Sequence, residues 1–260
     1  MTSSRQRNER NRGRKWARPA PPAEAGTEWL WGWHAVLAAL QNPVRPAPRL
    51  LLATAERARQ IPAGGAHTPP LEISDNAAIA RYLPQGAVHQ GVALKTPPLE
   101  AVDLEEMASP AKGLIVMLDQ VTDPQNVGAI LRSAAVFGAR GLIVQDRHAP
   151  LLTGALAKAA AGAVDRVPHA RVVNLSRALE TLSELGWRTV GLDTAAELTL
   201  EQALDGPATV IVLGSEGEGL RRLVAEHCDV LAKIPMPGDF ESLNVSAAAA
   251  IALYEASRVR

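Results

Sequence analysis

The chain has 260 residues, is 47% hydrophobic but only 3% aromatic, and carries 27 basic and 27 acidic side chains. That length suits one large domain or two, with a core built from small aliphatic side chains rather than rings. One cysteine, Cys228, excludes an intrachain disulfide, and the six histidines show no metal-ligand spacing. No apolar run reaches the roughly 18 residues of a membrane span. The expectation is a cytoplasmic protein without a metal or a membrane segment, with Cys228 a small buried residue.

The zero net charge is unevenly spread. Residues 1–28 hold seven bases (Arg5, Arg7, Arg10, Arg12, Arg14, Lys15 and Arg18) against Glu9, Glu24 and Glu28. This stretch is polar, rich in proline and arginine and without periodicity, so it reads as a disordered basic tail. Two uses remain open for it, an arm on RNA phosphates or a solubilising extension. A transit peptide is disfavoured because no amphipathic face forms.

Residues 29–98 read as a small α/β domain. His34–Leu40 is expected to be a helix, Leu50–Ala53 a strand, and Asp75–Leu83 a helix capped by Ser74 or Asp75. Val88–Leu94 reads as a closing strand interrupted by Gly91. Trp29, Trp31 and Trp33 alternate, which places them on one face of an extended segment, either to stack bases or to fill a small core. The proline- and acid-rich run Thr96–Ala111 reads as the connection, with the linker set at 99–112.

From Gly113 to the end the pattern is α/β. GLIVML at 113–118, GLIV at 141–144, RTVGL at 188–192 and TVIVL at 209–213 are candidate buried strands, and Lys233 and Ile234 begin a further short one. Apolar strands alternating with helices argue for a parallel sheet covered on both faces.

Three segments of this region carry chemistry. In LDQVTDPQNVGAILRSAAVFG, 118–138, Asp123 and Pro124 suit a helix start, and Val127, Ile130, Leu131, Ala134, Ala135 and Gly138 form its inward stripe. Asn126 and Arg132 lie off that stripe, after the carboxyl end of a strand where open sheets place their sites; a solvated helix arginine is the plain alternative. In VIVLGSEGEGL, 210–220, glycines let the backbone turn tightly or meet a ligand. Neither phosphate-loop fingerprint is present, and Glu216 and Glu218 would repel a pyrophosphate while tolerating a sulfonium. In the segment 234–258, Pro235, Pro237 and Gly238 keep a loop open before an alanine-rich helix, with Ser242 and Asn244 as caps or ligand groups.

N-V-G-x-x-x-R, L-G-x-E-x-x-G-L and I-P-M-x-G-x-x-x-S-L-N-V-S, in this order over residues 113–260, resemble the SpoU family of RNA ribose 2′-O-methyltransferases of the SPOUT superfamily. G-x-H-A-V at 32–36 and H-Q-G-V at 89–92 make the front region similar to that family's L30e-like RNA-binding domain. The resemblance implies a parallel-sheet methyltransferase domain knotted as a deep trefoil, S-adenosylmethionine as methyl donor without a metal, and a homodimer joined through the knotted domain and C-terminal helix. It implies donor-binding roles for Thr194, Gly214, Ile234, Met236, Gly238 and Leu243. It also implies catalytic roles for Asn126, Arg132, Glu216, Ser242 and Asn244, with Arg132 activating or orienting the ribose hydroxyl. A guanidinium is a poor general base, so orientation and electrostatics are the expected contribution. The implied substrate is a guanosine of 23S ribosomal RNA, with tRNA as the alternative substrate and a non-catalytic RNA-binding or assembly factor as the alternative class. Ala247–Ala250 departs from the family pattern in packing rather than chemistry.

Overall fold

The computed structural model describes residues 26–147, 149–150, 152–238 and 242–259. Apart from its last three residues, the basic tail expected over 1–28 lies outside this range.

The first part of the chain runs β1 (Glu28–Trp31), α1 (Trp33–Gln41), β2 (Leu50–Ala53), α2 (Ala55–Gln60), β3 (Leu71–Ile73), α3 (Asn76–Ala80) and β4 (Val92–Thr96). Its four strands form one mixed sheet in the order β1-β4-β2-β3, with β4 antiparallel to both neighbours and β3 parallel to β2. The tryptophan row is shorter than its alternation suggests. Gly32, at φ 93, turns the chain out of β1, so Trp33 opens a helix. Trp31 is buried and Trp29 tilts against Tyr82 at 5.1 Å, while Trp33 lies under the Arg57 guanidinium at 4.7 Å. The helix expected to reach Leu83 ends at Ala80, with Asp75 accepting from the Ala78 amide at 2.7 Å. The strand expected from Val88 starts only at Val92, because Gln90 and Gly91 both take positive φ, 57 and 80.

The remainder runs α4 (Leu104–Ala108), β5 (Gly113–Leu118), α5 (Pro124–Val136), β6 (Gly141–Gln145), α6 (Gly154–Ala159), a 3-10 turn at Ala163–Asp165, β7 (His169–Val172) and α7 (Leu175–Glu184). It continues through β8 (Arg188–Leu192), β9 (Leu198–Thr199), α8 (Leu200–Ala203), β10 (Ala208–Leu213), α9 (Arg222–Glu226), β11 (Val230–Lys233) and α10 (Val245–Arg258). The seven strands pair in parallel in the order β7-β6-β5-β10-β8-β11-β9. All six residues of β10 and five of the six in β5 are buried, as an apolar run covered on both faces requires. Lys233 ends a strand instead of beginning one, since Pro235 cannot donate to a ladder. Strand order reverses around β5 and β10, so the crevice of this α/β sheet opens at their carboxyl ends.

The stretch expected to be a linker is packed. Met107 and Ala108 of α4 are buried against α7 and β7, and the Val102 amide donates to the His169 carbonyl at 2.8 Å. One hydrophobic core runs from Leu30, Val36 and Leu94 to Leu131, Leu142 and Leu156, joining both sheets. Close backbone approach makes this possible. A Cβ on Gly128 of α5 would lie 2.6 Å from the Ala159 Cβ and 2.8 Å from the Leu156 carbonyl oxygen. Among the described residues no helix is long and apolar enough to cross a membrane.

A buried ion pair crosses between the two parts of the chain. Arg45 Nε donates to Asp165 Oδ1 at 2.6 Å and Nη2 to Oδ2 at 3.1 Å, with side-chain exposures of 0% and 2%. Asn42 Nδ2 donates to the same carboxylate, and Arg45 Nη1 to the Pro97 carbonyl. Breaking such a pair from one side strands a buried charge. Arg45→Ala is therefore expected to cost about 3–5 kcal/mol in urea unfolding, and Arg45→Met combined with Asp165→Leu to recover most of it.

His169, buried on β7 with no partner at Nδ1 among the described residues, has its pKa lowered to about 4 by burial, with the charges of Arg171 and Arg45 adding to the effect. An unfolded histidine titrates near 6.5. Below that pH the unfolded chain binds the extra proton, so the stability His169 contributes is present above about 6.5 and is lost as pH falls toward 4. Urea midpoints measured from pH 7.5 to 4 should fall less steeply in His169→Leu than in the wild type.

Candidate active site

The carboxyl ends of β8, β10 and β11 and the start of α10 enclose a cavity of about 660 Å³, within the range of small-molecule sites. Its walls are residues 192–194 after β8, 213–220 after β10, 232–234 with Met236 at the end of β11, and 242–245 with Ala248 entering α10. Of the residues expected to bind the donor, Thr194, Gly214, Ile234, Met236 and Leu243 line it, whereas Gly238 does not.

The catalytic candidates divide. Glu216, Ser242 and Asn244 line the cavity. Asn126 stands behind the wall, and its Nδ2 donates to Glu216 Oε1 at 3.0 Å. Asn244 Nδ2 donates to the same oxygen at 2.5 Å and to Asn126 Oδ1 at 3.1 Å, while the Val245 amide approaches Glu216 Oε1 at 3.4 Å. Arg132 is exposed on α5, lies outside the lining and makes no hydrogen bond or ion pair among the described residues. Six residues along a helix separate it from Asn126 by about 9 Å of rise and about 240° of turn, so the two side chains leave on different faces.

Local sequence explains why Asn126, Asn244 and Glu216 converge. Asp123 caps α5 by accepting from the Gln125 and Asn126 amides at 3.3 and 3.2 Å, and Pro124 occupies the first turn where no donor is needed. Asn244 caps α10 through Oδ1, which accepts from the Ser246 and Ala247 amides at 2.9 and 3.3 Å, leaving its Nδ2 free to face Glu216. The two helices pack on each other, so their positive ends meet at the Glu216 carboxylate.

The glycine loop is shaped by its own fold. Ser215 and Gly219 exchange backbone hydrogen bonds, both 3.1 Å, and a Cβ on Gly214 would lie 2.1 Å from the Gly219 carbonyl carbon. Gly217 and Gly219 take φ 91 and 68, which only glycine accepts freely. Around the cavity stand three carboxylates, Asp193, Glu216 and Glu218, against one ammonium, Lys233. Such a wall suits a ligand with positive charge. Nearby, burial first, then Asp229 and Asp119, push the Cys228 thiol up to about 12, so it stays protonated and unreactive.

Sequence reasoning missed Asp193, Ser215 and Lys233 in the lining. For Asp193 a signal existed, a polar residue directly after an apolar strand; Ser215 lies inside the glycine segment 210–220 and Lys233 directly precedes the segment 234–258. It also missed Asp119, whose partner is 102 positions away.

A profile described as the SpoU rRNA Methylase family matches residues 113–254. An uncharacterized tRNA/rRNA methyltransferase of Synechocystis sp. is 38% identical over 93% of this chain, which spans 66% of that protein's length. An AdoMet-bound rRNA methyltransferase of Sinorhizobium meliloti superposes with a TM-score of 0.75 at 26% identity, covering 90% of this chain and 87% of its own. A TrmH/SpoU tRNA modifying enzyme of A. aeolicus superposes with a TM-score of 0.52 at 28% identity, over 60% of this chain and 82% of its own. With the matched profile covering more than half of the chain and all three motifs, the chain belongs to the SpoU rRNA methylase family.

Proposed function

We propose that this protein methylates a ribose 2′-hydroxyl of RNA, with S-adenosylmethionine bound in the cavity at the carboxyl ends of β8, β10 and β11. The observation that carries this reading is the convergence of all three motif segments on Glu216 at the cavity wall. Thr194, Gly214, Ile234, Met236 and Leu243 would hold the donor, and the excess of carboxylates favours a cationic sulfonium over a nucleotide phosphate. When bound, the donor supplies an activated methyl group that a ribose oxygen displaces from sulfur.

The chain's own contribution is positioning. Asn126 and Asn244 hold Glu216 and with it the loop wall, while Ser242 borders the mouth. Holding two reactants in line is worth about 7–11 kcal/mol of barrier. Arg132, exposed and free of intrachain partners among the described residues, is available to an RNA phosphate or to the oxygen that gains negative charge.

Ribosomal RNA is the favoured substrate, with a guanosine of 23S RNA as its specific form. The rRNA methyltransferase of S. meliloti matches both sheets of this chain, whereas the tRNA modifying enzyme of A. aeolicus matches only 60% of it. We assign the front sheet an L30e-like role in RNA binding. We further propose a deep trefoil knot at the carboxyl end of the sheet, and that exposed Ile251 and Tyr254 of α10, with Val259 just after it, join two copies. What supports the knot is that α10, which follows β11 near one edge of the sheet, packs back on α5 and on the central strands β10 and β5.

Incubating the protein with labelled S-adenosylmethionine and total RNA, then mapping the labelled ribose, tests the reading. A single 2′-O-methylguanosine in large-subunit RNA is expected. Label in tRNA would overturn the substrate assignment, and binding of donor without transfer would favour a non-catalytic factor. Arg132→Ala should bind the donor within about twofold of wild type yet lose at least about 100-fold in turnover. Glu216→Ala, at an exposed position, should leave the melting temperature nearly unchanged while weakening donor binding about tenfold.

A further inference from the structure

Asp119 follows the last residue of β5 and is completely buried, yet it belongs to none of the motif positions assigned above. Its backbone amide donates to the carbonyl of Leu213, the residue immediately before the glycine loop, at 2.8 Å. Its carboxylate accepts from Arg221, the residue immediately after that loop, twice: from the backbone amide at 2.8 Å and from Nε at 2.7 Å. Arg221 Nη2 in turn donates to Gln145 Oε1 of β6 at 3.2 Å. One residue therefore grips both ends of the loop 214–220, every residue of which lines the cavity.

We infer that Asp119 and Arg221 are positioning residues for the donor site, forming a clamp that fixes the span of the 214–220 loop; the link to the donor rests on the methyltransferase function proposed above. The physical reason lies in the closure of the loop. Held at a fixed separation, its ends bring Ser215 opposite Gly219 and present Glu216 to Asn126 and Asn244. With the exit end released, the entry end alone sets no position for Gly219 and Leu220, and the cavity wall loses its defined shape. Charge-assisted hydrogen bonds to a buried carboxylate are the stronger kind, so this clamp outweighs the exposed bonds at the loop tip. Asp119 is not placed to touch a ligand, and Arg221 does not line the cavity.

The test combines donor binding with hydrogen exchange on the full-length protein. In Arg221→Ala the S-adenosylmethionine Kd should rise about tenfold, Arg221→Lys should recover part of the loss, and the Ser215 and Gly219 amides should exchange about tenfold faster. Asp119→Asn should act in the same direction. Because it alters a buried group, Arg221→Ala at a half-exposed position carries the test if that variant does not fold. Leu52→Ala in the front sheet, far from the loop, serves as a variant of lowered melting temperature that should leave both the Kd and the loop exchange within about twofold. Equal loss of affinity in Leu52→Ala, or unchanged Kd in Arg221→Ala, would overturn the positioning role. If the wild type itself takes up no S-adenosylmethionine, the proposed function fails separately, and exchange at Ser215 and Gly219 decides the clamp: faster exchange in Arg221→Ala upholds it and unchanged exchange removes it.

Discussion

A single carboxylate oxygen, Oε1 of Glu216, collects N–H groups from Asn126, Asn244 and Val245, and so fixes the start of α5, the start of α10 and the loop after β10 relative to one another. Both helices present their N-terminal ends, where unpaired amides and the helix dipole favour a negative charge. This placement resolves an apparent conflict in the sequence. A glycine loop carrying two carboxylates cannot serve a pyrophosphate, but it can serve two helix ends. Glu216 is exposed, so each of its bonds is worth only about 1 kcal/mol and the fold does not depend on them. Its contribution is geometric: it turns three separate segments into one wall.

The stability that allows such a wall comes from elsewhere. The continuous core beneath both sheets and the buried Arg45–Asp165 pair hold α6 against β1 and the 3-10 turn against α1, and α5 packs on both. Two motif glycines owe their identity to packing and not to a ligand. Gly128 lets α5 and α6 approach to backbone contact, and Gly214 makes room for the returning chain at Gly219. Each of these constraints is one the protein imposes on itself, and at Gly214 it stands alongside a place in the cavity wall.

What could be read from the sequence follows the range of the interactions involved. The strands at 113–118 and 188–192 are apolar runs, and the Asp123 and Asn244 caps act within three residues, so each shows in a short window. β7 (HARV) and β9 (two residues) carry no such pattern; the first takes its place at the sheet edge from pairing with β6, the second from pairing with β11. α4 hides in a proline- and acid-rich stretch because it is short and only Met107 and Ala108 are buried, with Leu104 packing at their edge. Asp119 resembles any polar residue at a strand end, since its meaning depends on Arg221 far along the chain. Of the catalytic candidates, those converging on Glu216 were legible as motifs and the off-stripe position of Arg132 as helix periodicity, but the shared oxygen was not.

That outward position is consistent with how charge is divided over the region. The cavity holds Asp193, Glu216 and Glu218 against Lys233, while Arg132 stands outside it without an intrachain partner among the described residues. A cationic donor and a polyanionic acceptor make opposite demands, and one uniform surface could not meet both. Carboxylates that favour a sulfonium would repel an approaching phosphate backbone unless fixed positive charge lay on the acceptor's side. A guanidinium turned into the cavity would have been neutralised by Glu216 and would have filled the wall. About 240° around the helix from Asn126, Arg132 keeps its full charge outside the acidic wall, as the proposed division between donor and RNA requires.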